Sequence, residues 1–179
     1  MQLFSRILNA IKAFCFRERG LVANIATCPN VVNGPMFSLV LARRPGSHNR
    51  KKAPHAKAYC VDLVNTFIQR YPKATPTNAP LYCRVYYFYR KEEHRDPDNL
   101  SKPTLDALCN YAYLDDFSVK IRVAGSQDVG TMGLHLVDLT RMDPEIVDDF
   151  SNYVATQDHT IYIEIGELRS VGFQIGGVI

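Results

Sequence analysis

Hydrophobic and polar residues along this chain follow two different periods, which predict two kinds of element. Runs rich in β-branched and aromatic residues, or with apolar side chains at alternate positions, predict strands at residues 37–42, 81–90, 117–124 and 159–166. Apolar positions spaced by three and four predict a helix at residues 59–71 and a second helix of about ten residues ending near residue 111. This order predicts an α/β fold, in which a single domain contains a mixed β-sheet and two main helices.

Proline positions predict where the second helix begins. Pro103 has no backbone N–H and therefore suits the first turn of a helix, so the N-cap is expected near Ser101. Asp96 and Asp98 would then lie in a loop ahead of this helix and not inside it.

The third strand and the segment after it are predicted in less detail. Alternation places Val119 and Ile121 on one face of the strand. Residues 125–157 are expected to be irregular or partly helical, with two helical turns starting at Pro144.

Residues 1–19 form a separate basic, amphipathic pattern at the start of the sequence. Their apolar side chains recur at helical spacing, and four Lys or Arg residues lie between or after them. Three roles are open for this predicted helix: packing on the domain or on a second subunit, lying on a membrane surface, or targeting an organelle. A segment containing Gly and Pro follows, so residues 1–35 are assigned to helix and linker and residues 36–179 to the main domain.

Composition places the chain among globular proteins with one domain. It has 179 residues, of which 46% are hydrophobic and 22% are charged. No apolar run reaches the roughly 18 residues of a membrane span, which argues against an integral membrane protein. The five cysteines are widely spaced without a CxxC pair, so free thiols in a reducing compartment are expected. The expected location is the cytoplasm. Association with the nucleoid and a phage origin both fit this expectation.

Charge is distributed unevenly along the sequence. Residues 1–61 contain ten Lys or Arg and one acid, a net charge of +9, whereas residues 62–179 have a net charge of −6. This asymmetry makes nucleic acid the first partner to consider. A basic segment at residues 43–57 is expected to contact DNA phosphates, with a solvated loop as the alternative. The expected contact residues are Arg43, Arg44, Arg50, Lys51, Lys52, Lys57 and Arg95.

Acidic residues cluster around the second predicted helix. Asp96 and Asp98 flank Pro97, which favours an extended backbone, so both carboxylates are expected on one side of the chain. The helix then returns the chain and can bring Asp115 and Asp116 beside the first pair. Three or four carboxylates in one pocket would form an oxygen-rich site suited to Mg²⁺, with Mn²⁺ as a substitute.

Individual members of this cluster also fit ordinary structural roles. Single Asp residues commonly cap helices or occupy turns, and Lys102, four residues after Asp98, could merely neutralise the acids. A calcium EF-hand is excluded, because counting from Asp96 the sixth position is Ser101 and the twelfth is Ala107. No glycine-rich turn follows the first strand, so a nucleotide cofactor is not expected.

The acidic segment resembles the signature of the RusA-type Holliday-junction resolvases, a family of crossover junction endodeoxyribonucleases. The shared pattern is D-x-D-N-x-x-K-x-x-x-D-A-L, followed after six residues by D-D. In this chain its members are Asp96, Asp98, Asn99, Lys102, Asp106, Ala107, Leu108, Asp115 and Asp116. The order of predicted elements from Phe37 onward is also similar, whereas residues 1–35 lie outside the resemblance.

The resemblance implies a RusA-like fold and a homodimeric, Mg²⁺-dependent endonuclease that cuts four-way DNA junctions symmetrically. Asp106 would support the site rather than bind the metal, and the longer segment 125–157 departs from the family and bears on substrate preference. The implied metal ligands are Asp96, Asp98 and Asp116, and these three carboxylates with Lys102 are the implied catalytic residues. Two alternatives stay open, namely a metal-dependent nuclease for flaps or other branched DNA, and a non-catalytic DNA-binding protein with vestigial acids.

Overall fold

Four strands form one mixed β-sheet in the part of the chain that the structure describes. This computed structural model describes residues 35–46, 54–90, 97–131, 139 and 142–168. The strands are β1 (Phe37–Leu41), β2 (Leu81–Tyr89), β3 (Val119–Asp128) and β4 (His159–Glu167). Their spatial order is β1-β4-β2-β3, with β4 antiparallel to both β1 and β2, and β3 parallel to β2. The predicted α/β class with a mixed sheet is confirmed.

Three α-helices pack on the sheet within the described residues, and two of them are the predicted main helices. Helices α1 (Pro54–Arg70) and α2 (Pro97–Leu108) cover one face, and α3 (Pro144–Thr156) covers part of the other. Helix α3 starts at Pro144, as predicted, but its 13 residues make it longer than the two helical turns that the sequence predicts. Asp143 caps this helix, because its side chain accepts a hydrogen bond from the backbone N–H of Glu145.

Hydrophobic cores lie on both faces of the sheet. The larger core fills the space between the sheet and helices α1 and α2, and alternate residues of β2 enter it as predicted: Leu81, Cys83, Val85 and Tyr87. The smaller core centres on Phe150 of α3, whose ring makes edge-to-face contacts with Phe88 and Tyr162 at centroid distances of 5.1 and 6.1 Å. The fold therefore has three layers, with the sheet in the middle.

Helix α1 begins at Pro54, five residues before the predicted start. The prediction used the apolar spacing that begins at Tyr59, whereas proline itself is favourable at the first position of a helix. Lys57, the last residue of the basic segment 43–57, therefore lies in the first turn of α1 and not in a loop.

Helix α2 begins at Pro97 and not near Ser101, so Asp98 belongs to the first turn of the helix. Pro97 suits the first helical position as well as Pro103 does, and the helix accommodates Pro103 in its interior. Ser101 is fully buried inside α2 and cannot be its N-cap. The expectation that Asp98 lies in an extended loop beside Asp96 is therefore wrong for Asp98.

Strand β3 contains a β-bulge at Lys120. Val119 pairs with Leu81, and the next pair along the ladder joins Ile121 to Tyr82, so one extra residue lies in β3. The bulge leaves Val119 on the α2 side of the sheet and moves Ile121 to the opposite side. The prediction of a common face for these two residues is wrong, because strict alternation does not continue through a bulge.

Several predictions concern residues outside the described part of the chain. The amphipathic helix at residues 1–19 and the linker up to residue 34 belong to this group, and the domain boundary before Met36 stays a prediction. The surroundings of five proposed site residues also lie outside the described part of the chain: Arg50, Lys51, Lys52, Arg95 and Asp96. Among the residues described, no helix has the length and apolar character needed to cross a membrane.

Candidate active site

A shallow pocket lies where helix α2, the turn after it and the start of β3 meet. Strands β2 and β3 are parallel, so the chain passes through α2 and returns to the sheet beside that helix. The pocket has a volume of about 100 Å³ and is lined by Lys102, Leu105, Asp106, Asp116, Val119 and Arg122. Two acidic and two basic side chains therefore meet in one concave surface, and they include two of the predicted catalytic residues, Lys102 and Asp116.

Lys102 and Asp106 form an ion pair on helix α2. The Nζ atom of Lys102 lies 3.5 Å from Oδ1 of Asp106, and both side chains are partly exposed. Residues four positions apart lie on the same side of a helix, so positions 98, 102 and 106 form one row along α2. The predicted metal ligand Asp98 therefore starts the row that leads to the pocket. Its side chain lies outside the described part of the structure, as Asp96 does.

The acidic pair after α2 divides into a capping residue and a pocket residue. Asp115 caps the 3-10 turn Asp116–Ser118, because its Oδ1 accepts a hydrogen bond of 2.9 Å from the N–H of Phe117. This hydrogen bond is the main cause that holds the pKa of Asp115 below its usual value. Asp115 thus fixes the turn, and the exposed carboxyl of Asp116 lines the pocket.

A buried tyrosine joins this turn to helix α2. The Tyr113 hydroxyl donates a hydrogen bond of 2.6 Å to the carbonyl oxygen of Leu105. Burial raises the pKa of Tyr113, and neighbouring negative groups, including Asp106 and Asp116, raise it further. The tight turn before it contains Asn110 at a φ of 69°, a left-handed conformation that asparagine tolerates better than most residues.

Arg122 is a pocket residue that sequence reasoning missed. Alternation along β3 puts Arg122 on the face opposite Val119, but the bulge at Lys120 brings both residues to the α2 side. Arg122 is paired in the sheet with Cys83. Burial raises the pKa of the Cys83 thiol to about 12, and the positive charge of Arg122 opposes this rise. A guanidinium group at this position can form paired hydrogen bonds with phosphate oxygens.

The basic residues expected to contact DNA differ in their surroundings. Nε of Arg43 lies 2.6 Å from Oδ2 of Asp62 on α1, so Arg43 already forms an ion pair within the protein. Arg44 is exposed just after β1, and Lys57 is exposed in the first turn of α1. These two residues bracket the basic segment, whose middle lies outside the described residues.

Two of the four charged side chains in the pocket are carboxylates. Carboxylate oxygens are the ligands that Mg²⁺ and Mn²⁺ prefer, and Asp106 and Asp116 both present them here. Within the described ranges, no group of three or more His, Cys, Asp or Glu side chains is arranged to hold a metal ion. The predicted ligand set also needs Asp96 and the side chain of Asp98, so the described part of the chain supplies one of its three members, Asp116.

Comparisons with known proteins do not assign this chain to a family. A scan against known protein families finds no match, and a search of curated proteins finds none either. A functional proposal therefore depends on the sequence motif and on the pocket that contains part of it.

Proposed function

We propose that this chain is a Mg²⁺-dependent endodeoxyribonuclease of the RusA type, which resolves Holliday junctions by symmetric phosphodiester hydrolysis in DNA recombination and repair. The observation that carries the proposal is the meeting of Asp116 and Lys102 in one pocket. These residues are 14 positions apart in the sequence, and the motif assigns catalysis to both. All four charged side chains of the pocket are exposed at least in part, so they are accessible to a substrate.

Each charged residue has a defined task in this proposal. Asp96, Asp98 and Asp116 would hold Mg²⁺, which when bound supplies Lewis-acid activation of a phosphate oxygen and of water. Lys102 binds the scissile phosphate and orients it through its ammonium group. Arg122 approaches the same pocket from β3 and contacts another phosphate oxygen.

Asp106 and Tyr113 position these groups. Asp106 keeps the ammonium group of Lys102 at the pocket through their ion pair, in which Nζ and Oδ1 are 3.5 Å apart. Tyr113 fixes the turn that carries Asp116 against helix α2 through its hydrogen bond to Leu105. Both contacts join groups of the protein to one another, so they restrict the positions that Lys102 and Asp116 can take in the pocket.

The DNA contacts extend beyond the pocket in this proposal. Arg44 and Lys57 lie at the ends of the basic segment, which follows the phosphates on either side of the scissile bond. Symmetric cleavage of a four-way junction requires two active sites related by a two-fold axis, so the working form is a homodimer. The proposed location is the cytoplasm, where the protein acts on chromosomal or phage DNA.

The proposal is tested by incubating the full-length protein with three DNA substrates of matched sequence: a mobile four-way junction, a flap and a plain duplex. With Mg²⁺ we expect paired, symmetric nicks in the junction, an intact duplex, and similar cleavage when Mn²⁺ replaces Mg²⁺. EDTA should abolish all cleavage. Preferential cutting of the flap would assign the chain to another branched substrate. Junction binding without cleavage in either metal would make it a non-catalytic DNA-binding protein.

A further inference from the structure

Phe117 is exposed to an unusual degree beside the candidate active site. It immediately follows Asp116, and its exposure of 78% is the highest among the large hydrophobic residues of the described chain. Tyr111 and Leu114, in the same connection between α2 and β3, are also exposed. An aromatic side chain this exposed, directly after a residue that lines a charged pocket, is a candidate contact for a ligand of that pocket.

The backbone around Phe117 is held in place. Its N–H donates to Oδ1 of Asp115 at 2.9 Å, and the N–H of Ser118 donates to the carbonyl oxygen of Asp115 at 3.0 Å. The Nζ atom of Lys120 lies 3.5 Å from the centroid of the Phe117 ring. The backbone of Phe117 is therefore held in place directly after a pocket residue, and a cation lies over one face of its ring.

We propose that Phe117 is a base-stacking residue, which receives an unpaired nucleobase of branched DNA bound at the pocket. The inference rests on the proposed function and deepens it, because it names the feature of the substrate that this site recognises. Bases at a branch point unpair more readily than those within a duplex, which lowers the cost of moving one onto an aromatic ring.

Charge complementarity favours a nucleotide over an apolar protein surface as the partner of Phe117. Lys120 lies over one face of the ring and can neutralise the phosphate of the nucleotide, and the other face offers a stacking surface to the base. Lys102 and Arg122 are two further cations in the adjoining pocket, where they lie alongside the carboxylates of Asp106 and Asp116. An apolar ring next to several cations suits the alternation of bases and phosphates in single-stranded DNA.

The test uses the full-length protein and a four-way junction with 2-aminopurine next to the point of strand exchange, with Ca²⁺ replacing Mg²⁺. Phe117→Ala and Phe117→Leu remove the aromatic ring, and the second keeps an apolar side chain. Phe117→Trp restores an aromatic ring. Ile68→Ala, at an exposed apolar position on α1, is the control. Fluorescence reports unstacking of the labelled base, and titration of the junction and of a plain duplex gives affinities.

The wild-type protein should raise 2-aminopurine emission, and the Ala and Leu variants should lose this rise and bind the junction about tenfold more weakly. The Trp variant and the Ile68 control should stay close to wild type, and duplex affinity should be the same throughout. Unchanged emission and junction affinity in the Ala variant would overturn the inference. A change in sedimentation of either ring-deleted variant would also overturn it, because the ring would then join copies of the chain.

The two proposals fail in different ways. If the wild-type protein cuts the junction with Mg²⁺ but its emission does not depend on residue 117, the stacking inference alone is wrong. If emission depends on residue 117 but no substrate is cut with Mg²⁺, the stacking site stands and the nuclease proposal is wrong.

Discussion

The hydroxyl of Tyr113 lies 2.6 Å from the carbonyl oxygen of Leu105, and this hydrogen bond joins the acidic turn to helix α2. The turn carries Asp116, whereas α2 carries Lys102 and Asp106. The position of Asp116 relative to the Lys102–Asp106 ion pair therefore depends on a buried hydrogen bond that Tyr113 makes from behind the pocket to the backbone of Leu105.

Replacing Tyr113 with Phe should lower both stability and the activity of the proposed nuclease. The Leu105 carbonyl keeps one hydrogen bond, from the N–H of Cys109, so the loss in unfolding free energy should be about 1 kcal/mol. Cleavage by the folded variant should fall, because the turn loses its link to the helix. Urea unfolding and junction cleavage measure the two effects. The half-exposed Tyr111, changed to Phe as a control, should alter neither.

A second polar network lies on the opposite face of the sheet and has a structural role. The buried carboxylate of Glu164 accepts hydrogen bonds from Tyr82 at 2.7 Å, Arg84 at 3.0 Å and Tyr162 at 3.1 Å. Three donors to one carboxylate satisfy the charge in a site that excludes most water. Gly166 contributes space for it, since a Cβ there would lie 2.4 Å from the Tyr82 ring.

Changing Glu164 to Ala should therefore destabilise the protein without changing its proposed chemistry. The substitution leaves the partly buried Arg84 without its ion pair, and a loss of about 3 kcal/mol in unfolding free energy is expected. Glu167→Ala, at the exposed end of β4, should cost much less. Denaturant unfolding compares the two variants. A loss for Glu164→Ala no larger than that of the control would show that the network contributes little.

Stability should fall at alkaline pH. Burial is the main cause of the raised pKa values of four tyrosines: Tyr59, Tyr82, Tyr113 and Tyr162. In the unfolded chain tyrosine has a pKa of about 10, so these groups stabilise the fold fully below that pH. Their contribution is lost as the pH rises from about 10 towards the folded pKa, by up to about 1.4 kcal/mol per pH unit for each group.

Urea unfolding at several pH values above about 9 measures this slope. Tyr59→Phe removes one of the ionisable groups, and the slope should decrease by the contribution of a single tyrosine. The same slope in the variant and the wild type would show that Tyr59 ionises equally well in the folded chain. The hydroxyl of Tyr59 lies 2.7 Å from that of Thr104, so the variant should also be less stable at neutral pH.

The basic segment should contribute electrostatic affinity for DNA. Changing Arg50, Lys51 and Lys52 together to Ala should weaken junction binding and reduce its dependence on salt. Each lost phosphate contact lowers the slope of log affinity against log salt by about 0.9. Lys73→Ala, in the turn after α1, serves as a control for the loss of a positive charge. An unchanged slope in the triple variant would show that this segment does not contact DNA.

The strands could be predicted from the sequence because they depend on local patterns, and so could the faces of β2, whereas the faces of β3 could not because of its bulge. Strand β2 follows strict alternation, and its predicted inner face is confirmed. The sequence underestimates the length of helix α3, because this helix covers only part of the sheet and buries few side chains. Ile146, Phe150 and Val154 are among the buried ones. Its N-terminal Pro144 was nevertheless located correctly, since proline marks the first helical turn independently of packing.

The site could be predicted in part, and its limits have a physical cause. The motif identified Lys102 and Asp116, which the fold brings together from positions distant in sequence. Arg122 could not be found, because a bulge changes the faces of a strand and depends on pairing with β2 rather than on local sequence. The start of α2 was misplaced because Pro97 and Pro103 give competing signals, and tertiary packing decides between them.

The most direct test of the proposed active site compares two neighbouring carboxylates. Asp116→Asn removes the proposed metal ligand, whereas Asp115→Asn keeps a residue that can cap the 3-10 turn. Cleavage of a four-way junction with Mg²⁺ should fall at least about 100-fold for Asp116→Asn, with junction binding retained, and should stay close to wild type for Asp115→Asn. Undiminished cleavage by Asp116→Asn, in a folded protein that cuts the junction, would contradict the proposed site.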